Sequence, residues 1–442
     1  MTPTETTEKA KLGRPRKNPT AMVAQTGPDA SITKAIAAKA AATIFKVCKQ
    51  KPLQPSYSTM PHLPSGSTII DLLIGGSKAR DGGGYTCPGY PRRRITEVYG
   101  AESSGKTTIA LAAIADCQRK GGVAMFLDFE HALHHGYAKT IGVDFSPEKL
   151  LYYQPDTLEE GVKMLYLGIR AGVDLIVLDS VAAMVPLAEL AKELGKEVKV
   201  GALAKAMSEL LPKLVIWLSN ANKGEEVNGK PTPKLPGTAV ILINQTRAVI
   251  SIGGYGGGGG PQESSSGGKA LKYFTYVRLG LQRTKSYYIE KIDSYTGKKK
   301  RIPIGNLVQV KAVKTKCDAN QGQAGEIFIR YGFGLDDILS LIEAGVVRKI
   351  VGNHGSMYDF EGENFKGKDS LRKMLLDHPQ KAELLKTRLC ESLLENAPQA
   401  ADITDEDEVL SDMRANIGDD DVVEGAGMEV EEATEEVTVG ES

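Results

Sequence analysis

The chain has 442 residues, of which 41% are hydrophobic, so it can bury a sizeable core in two or three globular parts. Its formal net charge is zero, but residues 1–52 carry +7 and residues 402–442 carry −15. Five scattered cysteines without CxxC spacing argue against a disulfide framework or a zinc site and indicate reduced thiols. No apolar run approaches the length of a membrane span and the N-terminus lacks an apolar signal core, so we expect a soluble, cytoplasmic protein.

The N-terminal segment is predicted to contain a tail and a helix. Residues 1–30 are rich in Thr, Pro and Lys, which is typical of a disordered basic tail. Within it, Gly13–Lys17 (GRPRK) is either a minor-groove arm or solvated tail. Residues 31–50 predict an Ala-rich amphipathic helix that begins after Ser31, within an oligomerisation segment at 31–52.

The central region, 53–335, alternates short apolar runs with helical patterns, which predicts an α/β fold with a mostly parallel sheet flanked by helices. A predicted helix at 104–121 lies among predicted strands at 93–100, 123–130, 174–180 and 238–245. The last three strands end in polar residues, at the sheet edge where open α/β sheets bind ligands. Irregular segments are expected at 220–237 and 246–268.

The C-terminal part is predicted in three pieces. Residues 269–335 are strand-rich and complete the core. Residues 336–397 predict a small α+β domain, and residues 398–442 predict an acidic disordered tail. We expect this tail to shield a basic surface in the middle of the chain.

A P-loop carries the clearest chemistry in the sequence. Gly100–Thr107 (GAESSGKT) fits G-x-x-x-x-G-K-[ST] between a predicted strand and a predicted helix. In that context backbone N–H groups hold the phosphates of ATP, the Lys reaches the β/γ oxygens and the Thr hydroxyl coordinates Mg²⁺. Asp179 ends a strand downstream and is the expected second magnesium ligand. The expected nucleotide contacts in this loop are Gly100, Ala101, Glu102, Ser103, Ser104, Gly105, Lys106, Thr107 and Thr108.

Two further polar residues are the last residues of predicted strands near this loop. Glu130 can polarise the water that attacks the γ-phosphate, or it can cap a helix. Gln245 precedes a Gly-rich segment, so it can sense the γ-phosphate and pass that state to the segment. The alternative is an ordinary hydrogen-bonded amide at a strand end.

Two loops have the composition of nonspecific DNA-binding segments. The Gly-rich loop carries Arg247, Val249, Ile250 and Tyr255, which supply a cation and groups that contact bases. Residues 192–201 add three lysines. Either loop can instead be a solvated linker.

Lysines follow one another along a predicted strand at 310–316. Lys314 and Lys316 are two apart, so they share a face of that strand. They either protect a sheet edge or act in trans on phosphoryl transfer in a neighbouring subunit.

Taken together, these motifs resemble those of the bacterial-type RecA recombinases from about Ile32 to about Asn396. The resemblance is carried by GAESSGKTT, FLDFEHAL, QPDT, LIVLDSVAAMVP, INQTR, SGGKALKYFTYVRL and VKAVKTK. It implies an ATP-dependent recombinase that forms a helical filament on single-stranded DNA and exchanges strands with duplex DNA. It also implies recombination mediators and single-strand-binding protein as possible partners.

The resemblance implies roles for individual positions. Lys106, Thr107 and Asp179 hold ATP and Mg²⁺, with Glu130 and Gln245 in the catalytic roles given above. Lys314 and Lys316 reach the nucleotide of the adjacent subunit. Tyr137 stacks on adenine, Tyr331 lies in a second nucleotide-contacting segment, and Tyr273 lies at the subunit interface. The implied DNA contacts are Lys205, Ser208, Arg247, Ile250, Gly267, Gly268 and Lys269.

The chain departs from the family pattern at several positions. His134 replaces an Asp near the adenine, Pro212 replaces an Arg and Lys205 stands for another Arg. The inserts at 82–94 and 220–237 and the glycine run 256–260 are unusual. The rival hypotheses are a hexameric helicase on the same fold and a regulatory relic that holds nucleotide without turnover.

Overall fold

In the computed structural model the chain divides into two units, between Tyr57 and Ser58. In the first unit, residues 38–44 and 46 are helical, within the helix predicted at 31–50. The described residues are 38–44, 46, 60–76, 87–192, 201–220, 226–227, 230–231, 237–248, 263–265, 268–292, 298–317 and 321–395.

Several predictions fall outside the described residues. They concern the basic tail with Gly13–Lys17, residues 82–86 of the insert at 82–94, the lysine-rich residues 193–200, Ile250, the glycine run 256–260, Gly267 and the acidic tail. For Arg247 only the backbone is described.

In the second unit, the described residues form one ten-stranded sheet. Its parallel strands, in spatial order, are β5 (Leu150–Tyr153), β4 (Ala124–Asp128), β6 (Leu175–Asp179), β9 (Ala239–Ala248), β3 (Ile95–Gly100) and β11 (Val277–Ile292). The sheet continues antiparallel through β12 (Lys299–Thr315), β13 (Ala324–Arg330) and β14 (Gly334–Asp336), while β10 (Glu263–Ser265) pairs with β9.

Helices cover this sheet. Those of the second unit are α1 (Thr68–Gly75), α2 (Lys106–Arg119), α3 (His135–Ile141), α4 (Leu158–Ala171), α5 (Leu187–Leu190), α6 (Ala202–Asn220), α7 (Ala270–Phe274), α8 (Asp337–Val347), α9 (Lys368–Asp377) and α10 (Pro379–Glu395), with a 3₁₀ turn at Val181–Ala183. None of the helices in the described residues is both long and apolar enough to span a membrane.

The central parallel strands β4 and β6 are apolar up to their last residue because both faces of the sheet are covered there. Successive side chains of a strand point to opposite faces. Thus Phe126 belongs to one hydrophobic cluster together with Ile114 of α2, and Leu127 belongs to another together with Leu211 of α6. Every residue of β4 and β6 is buried, as the sequence predicted for core strands.

The strands β11 and β12 form a hairpin that extends beyond the neighbouring strands of the sheet. They pair with each other as far as Ile292 and Lys299, whereas β3 pairs with β11 only over Val277–Leu281. On the other side, β13 pairs with β12 only over Gly305–Lys311. Among the described residues, the outer part of the hairpin therefore has no third strand. The strand-rich prediction for 269–335 is confirmed.

The C-terminal residues pack on the same core. Leu341 and Ile342 of α8 share a hydrophobic cluster with Ile327 of β13. After α8, β15 (Gly352–His354), β16 (Met357–Phe360) and β17 (Glu363–Lys366) form a small antiparallel sheet, followed by α9 and α10. A domain boundary at 336 stays a prediction.

Three local expectations were wrong. The strand β4 ends at Asp128, so Glu130 lies two residues beyond it. The strand β9 continues past Gln245 because its last residues pair with β10, so the glycine-rich loop is shorter than predicted. The predicted irregular segment 220–237 contains a short ladder between β7 (Glu226–Val227) and β8 (Lys230–Pro231). A further small ladder joins β1 (His62–Leu63) to β2 (Tyr90–Pro91).

Candidate functional site

The P-loop connects β3 to the N-terminus of α2. Gly105 caps this helix with φ 93°, and a Cβ on it would lie 2.3 Å from Cδ1 of Ile329. This left-handed conformation is one that side chains with a Cβ rarely adopt, so it favours glycine. The next residue, Lys106, is buried, and its Nζ donates to the carbonyl oxygens of Gly100 (3.1 Å) and Ala101 (2.7 Å). The backbone of the loop and the start of the helix therefore face the same cleft as the lysine.

A hydroxyl and a carboxylate meet beside the lysine. Oγ1 of Thr107 donates to Oδ2 of Asp179 at 2.7 Å. Burial raises the pKa of Asp179 to about 6, against the Thr107 hydrogen bond, which lowers it. Burial lowers the pKa of Lys106, while Asp179 and Glu130 oppose that shift.

The donors of the loop suit an anionic ligand. Among the described side chains, the buried Oγ of Ser104 is one of a few polar atoms without a hydrogen-bond partner. Together with Lys106 and the helix N-terminus, it provides donors for phosphate oxygens. The hard oxygen ligands Thr107 and Asp179 suit a divalent cation such as magnesium. The residues present therefore fit a metal–nucleotide.

The cleft has a volume of about 270 Å³ and extends from the P-loop to the antiparallel strands. The hydroxyl groups of Tyr137 and Thr108 lie 3.0 Å apart on one wall, and Tyr331 lines another. Three lining residues that the sequence did not predict are Asn306, Val308 and Ile329. They come from strands distant in sequence, and no local motif marks them.

Glu130 and Gln245 meet at the cleft. Oε1 of Glu130 accepts a hydrogen bond from Nε2 of Gln245 at 2.8 Å and another from Oγ of Ser180 at 2.6 Å. Both residues line the same cleft as the P-loop. Ser180, which the sequence analysis did not single out, directly follows Asp179. A change at the cleft can therefore reach β9 through one side-chain contact.

A buried ionic network lies under this contact. Glu97 on β3 is fully buried; its carboxylate accepts from Nδ2 of Asn244 at 2.9 Å and from Nε of Arg278 at 2.6 Å. The guanidinium of Arg278 also lies 4.7 Å from the ring centre of Tyr99. The network joins three adjacent strands, β9, β3 and β11. A charged residue within the apolar run ITEVYG was the one sequence signal for it.

The predicted DNA-contacting residues that are described fall near one another. Gly268 has φ 77°, and a Cβ on it would lie 2.9 Å from Cβ of Ala204 in α6. This close approach brings the start of α7 beside the first turns of α6. Lys205, Ser208 and Lys269 are all exposed there.

Lys314 and Lys316 lie outside the cleft of their own chain. Nζ of Lys314 donates to the carbonyl oxygens of Lys272 (2.6 Å) and Tyr273 (3.2 Å) at the end of α7. The backbone N–H of Lys316 donates to the carbonyl oxygen of Tyr276 at 3.1 Å. Tyr273 beside them is 72% exposed.

Two departures from the family pattern lie in described helix segments, and the first has a local explanation. His134 caps α3, because its Nδ1 accepts from the backbone N–H of Tyr137 at 3.0 Å. An aspartate would cap the helix in the same way. Pro212 lies inside α6, which continues to Asn220.

Comparison with known proteins agrees with this arrangement. Residues 57–336 match the model of the RecA N-terminal domain. The chain belongs to the RecA family. It is 38% identical to the protein named RecA of Acidothermus cellulolyticus over 75% of this chain and 84% of that protein. It is also 38% identical to the protein named RecA of Mycobacteroides abscessus, over 75% of this chain and 83% of that protein. The identity to the protein named RecA of Nocardia farcinica is again 38%, over 78% of this chain and 86% of that protein. Membership of this family favours a recombinase over the helicase alternative.

Proposed function

We propose that this RecA family member is an ATP-dependent DNA recombinase that assembles as a filament on single-stranded DNA and exchanges strands with homologous duplex. The observation that carries the proposal is the hydrogen bond between Gln245 and Glu130 in the P-loop cleft. Gln245 lies on β9, and the chain leaves that strand directly into the candidate DNA-binding segment.

The cleft is proposed to bind ATP and Mg²⁺. Ser104, Lys106 and the first N–H groups of α2 hold the phosphates, and Thr107 and Asp179 hold the metal, which neutralises charge that develops on the phosphates. Tyr137 and Tyr331 flank the base and ribose. The Thr107–Asp179 hydrogen bond already holds both metal ligands at one point of the cleft.

Glu130 is proposed to orient the attacking water and accept its proton. Oε1 of its carboxylate accepts hydrogen bonds from Ser180 and Gln245, and the bond from Ser180 keeps Glu130 oriented when Gln245 turns to the nucleotide. Gln245 exchanges its bond with Glu130 for one with the terminal phosphate of the nucleotide. ATP binding then changes the start of the segment after Ala248, and hydrolysis reverses the change.

The DNA surface is proposed to combine α6 with the flanks of the glycine-rich segment. Lys205 and Lys269 supply cations, and Ser208 supplies a hydroxyl beside them. Arg247, Ile250, Gly267 and Gly268 complete this surface. The small region 336–397 is proposed to guide duplex DNA.

The filament completes the site between subunits. Lys314 and Lys316, which lie outside the cleft of their own chain, are proposed to reach the nucleotide of the next subunit. The exposed ring of Tyr273 lies at the same interface, and residues 31–52 dock on the neighbour. Recombination mediators and single-strand-binding protein are partners that only the family resemblance suggests. A cytoplasmic location agrees with these partners.

Electron microscopy and strand exchange test this function together. With ATP and single-stranded DNA we expect open helical filaments, and we expect exchange between a single strand and homologous duplex. Closed rings without exchange would contradict the proposal in favour of a helicase. A chain that binds ATP but neither hydrolyses it nor assembles would instead be a regulatory relic.

A further inference from the structure

The outer part of the β11–β12 hairpin is a two-stranded ribbon, defined here as residues 288–292 and 298–303. Its register pairs Tyr288 with Pro303 and Ile292 with Lys299. Among the described strands, neither β3 nor β13 accompanies the ribbon, because their pairing with the hairpin ends at Leu281 and Gly305. An isolated two-stranded hairpin is marginally stable in water, so this length of ribbon calls for a function or a partner.

Cations cover this ribbon. Lys298, Lys299, Lys300 and Arg301 are consecutive and exposed. Because successive side chains of a strand alternate between faces, these cations point to both faces of the ribbon. Glu290 is the single acid among the described ribbon side chains, and it pairs with Lys299 at 3.3 Å in an exposed contact. Such a pair contributes little, so the ribbon keeps a strong positive charge.

Exposed apolar groups lie between the cations. The ring of Tyr288 is 46% exposed, and the guanidinium of Arg301 lies 4.7 Å from its centre. Ile292 is 72% exposed at the far end. Cations interleaved with exposed apolar groups suit a polyanion that also offers apolar surface. Nucleic acid is such a polymer.

The base of the ribbon is anchored to the C-terminal region. The hydroxyl group of Tyr287 donates to Oε1 of Glu343 in α8 at 2.9 Å, and Lys368 at the start of α9 binds the same carboxylate. The ring of Tyr287 also packs on Phe328, with 4.8 Å between ring centres. These contacts orient the ribbon relative to α8 and α9.

We propose that this ribbon is a duplex-DNA contact site, separate from the surface formed by α6 and the glycine-rich segment. The major groove of B-DNA admits a two-stranded β-ribbon, and phosphate strands border that groove on both sides. Cations on both faces of the ribbon meet these phosphates. The inference rests on the proposed function, since it supposes that the protein handles duplex DNA.

The test compares two triple variants that lose the same charge. K298Q/K299Q/K300Q removes three ribbon cations, and R119Q/K120Q/K139Q removes three exposed cations near α2 and α3. Binding to a short duplex and to the equivalent single strand is measured between about 50 and 200 mM salt. Thermal unfolding checks that both variants fold.

For duplex DNA we expect the ribbon variant to bind about tenfold more weakly at 0.1 M salt, with a salt slope reduced by about 0.9 per lost contact. The control should bind like the unaltered protein, and binding to the single strand should change little in either variant. K298R/K299R/K300R should restore duplex affinity, and E290Q should raise it a few-fold.

Equal duplex binding by the two triple variants would overturn the inference, and so would equal losses on duplex and single strand. An acidic protein segment as the partner of the ribbon would produce the first of these results. A measurement on the unaltered protein distinguishes failure of the ribbon inference from failure of the proposed function. If its ATP hydrolysis responds to single-stranded DNA, the proposed function stands whatever the ribbon variants do.

Discussion

The parallel and antiparallel halves of the sheet carry function in different ways. In the parallel half, strands such as β4 and β6 are buried throughout, and the functional side chains follow their carboxyl ends. In the antiparallel half, β12 runs from an exposed basic end to a buried end. A site in the first half depends on exact placement of a few groups, whereas a site in the second depends on summed charge. Single substitutions should therefore have large effects in the first half and small effects in the second.

The largest expected effect comes from Lys106→Ala. The variant loses the buried cation of the P-loop, so we expect nucleotide binding and strand exchange to be abolished. Binding of a fluorescent ATP analogue measures the first, and a strand-exchange assay measures the second. The matched control is Lys120→Ala at the other end of α2, where the side chain is exposed. If Lys106→Ala retained the affinity of that control, the P-loop assignment would be wrong.

The next effect is on turnover alone. Glu130→Gln keeps an oxygen that can accept from Ser180 and Gln245 but removes the base. Removal of a general base typically slows a reaction by about 10²–10⁴-fold, so hydrolysis should fall by that factor while ATP binding and filaments persist. Steady-state phosphate release gives the rate, and microscopy shows the filaments. Hydrolysis at the unaltered rate would exclude Glu130 from the role of base.

A third effect concerns stability: removal of a buried carboxylate is compared with removal of an exposed one. Glu97→Gln leaves the buried Arg278 without its counter-charge, which we expect to cost about 3–5 kcal/mol of the free energy of unfolding. The matched change Glu290→Gln on the exposed ribbon should cost less than about 0.5 kcal/mol. Denaturant unfolding measures both. Equal losses would contradict the distinction between a buried network and a solvated one.

The smallest effect concerns pH. Burial raises the pKa of Asp71 to about 8 from an ordinary value of 3.8, although the N–H of Ser65 donates to it at 2.8 Å. The folded state binds the Asp71 proton more tightly than the unfolded state does. Protonation of Asp71 therefore makes its full contribution to the free energy of unfolding below the unfolded pKa, and this contribution is lost as pH rises toward about 8. Asp71→Asn removes the titration and keeps the acceptor. Its melting temperature should exceed that of the unaltered protein by a few degrees at pH 8, and the gap should close as pH falls toward the ordinary value of 3.8. A gap independent of pH would contradict the shift.

The sequence predicted the parallel half well. Apolar runs with polar ends located β3, β4 and β6 to within two residues, because strands buried on both faces have a local composition that marks them. The position of Gly100–Thr107 between a strand and a helix was also predicted, from the spacing of its motif. Glu130 was assigned to a strand end but lies in the turn that follows, where backbone hydrogen bonds to Asp179 hold the chain.

The rest depended on contacts between distant segments. The strand β9 extends to Ala248 because β10 pairs with its end, and no local pattern announces that partner. The buried network forms only because three adjacent strands bring together Glu97, Asn244 and Arg278. Asn306 reaches the cleft from a strand two hundred residues beyond the P-loop. Such pairings follow from topology, which single-sequence patterns do not specify.

The decisive measurement is the rate of ATP hydrolysis with and without single-stranded DNA, in the unaltered chain and in Gln245→Ala. We expect strong stimulation by DNA in the unaltered chain. The variant should bind ATP with normal affinity but show no stimulation, since the link from cleft to DNA segment is cut. Full stimulation in Gln245→Ala would contradict the coupling between nucleotide and DNA through this residue.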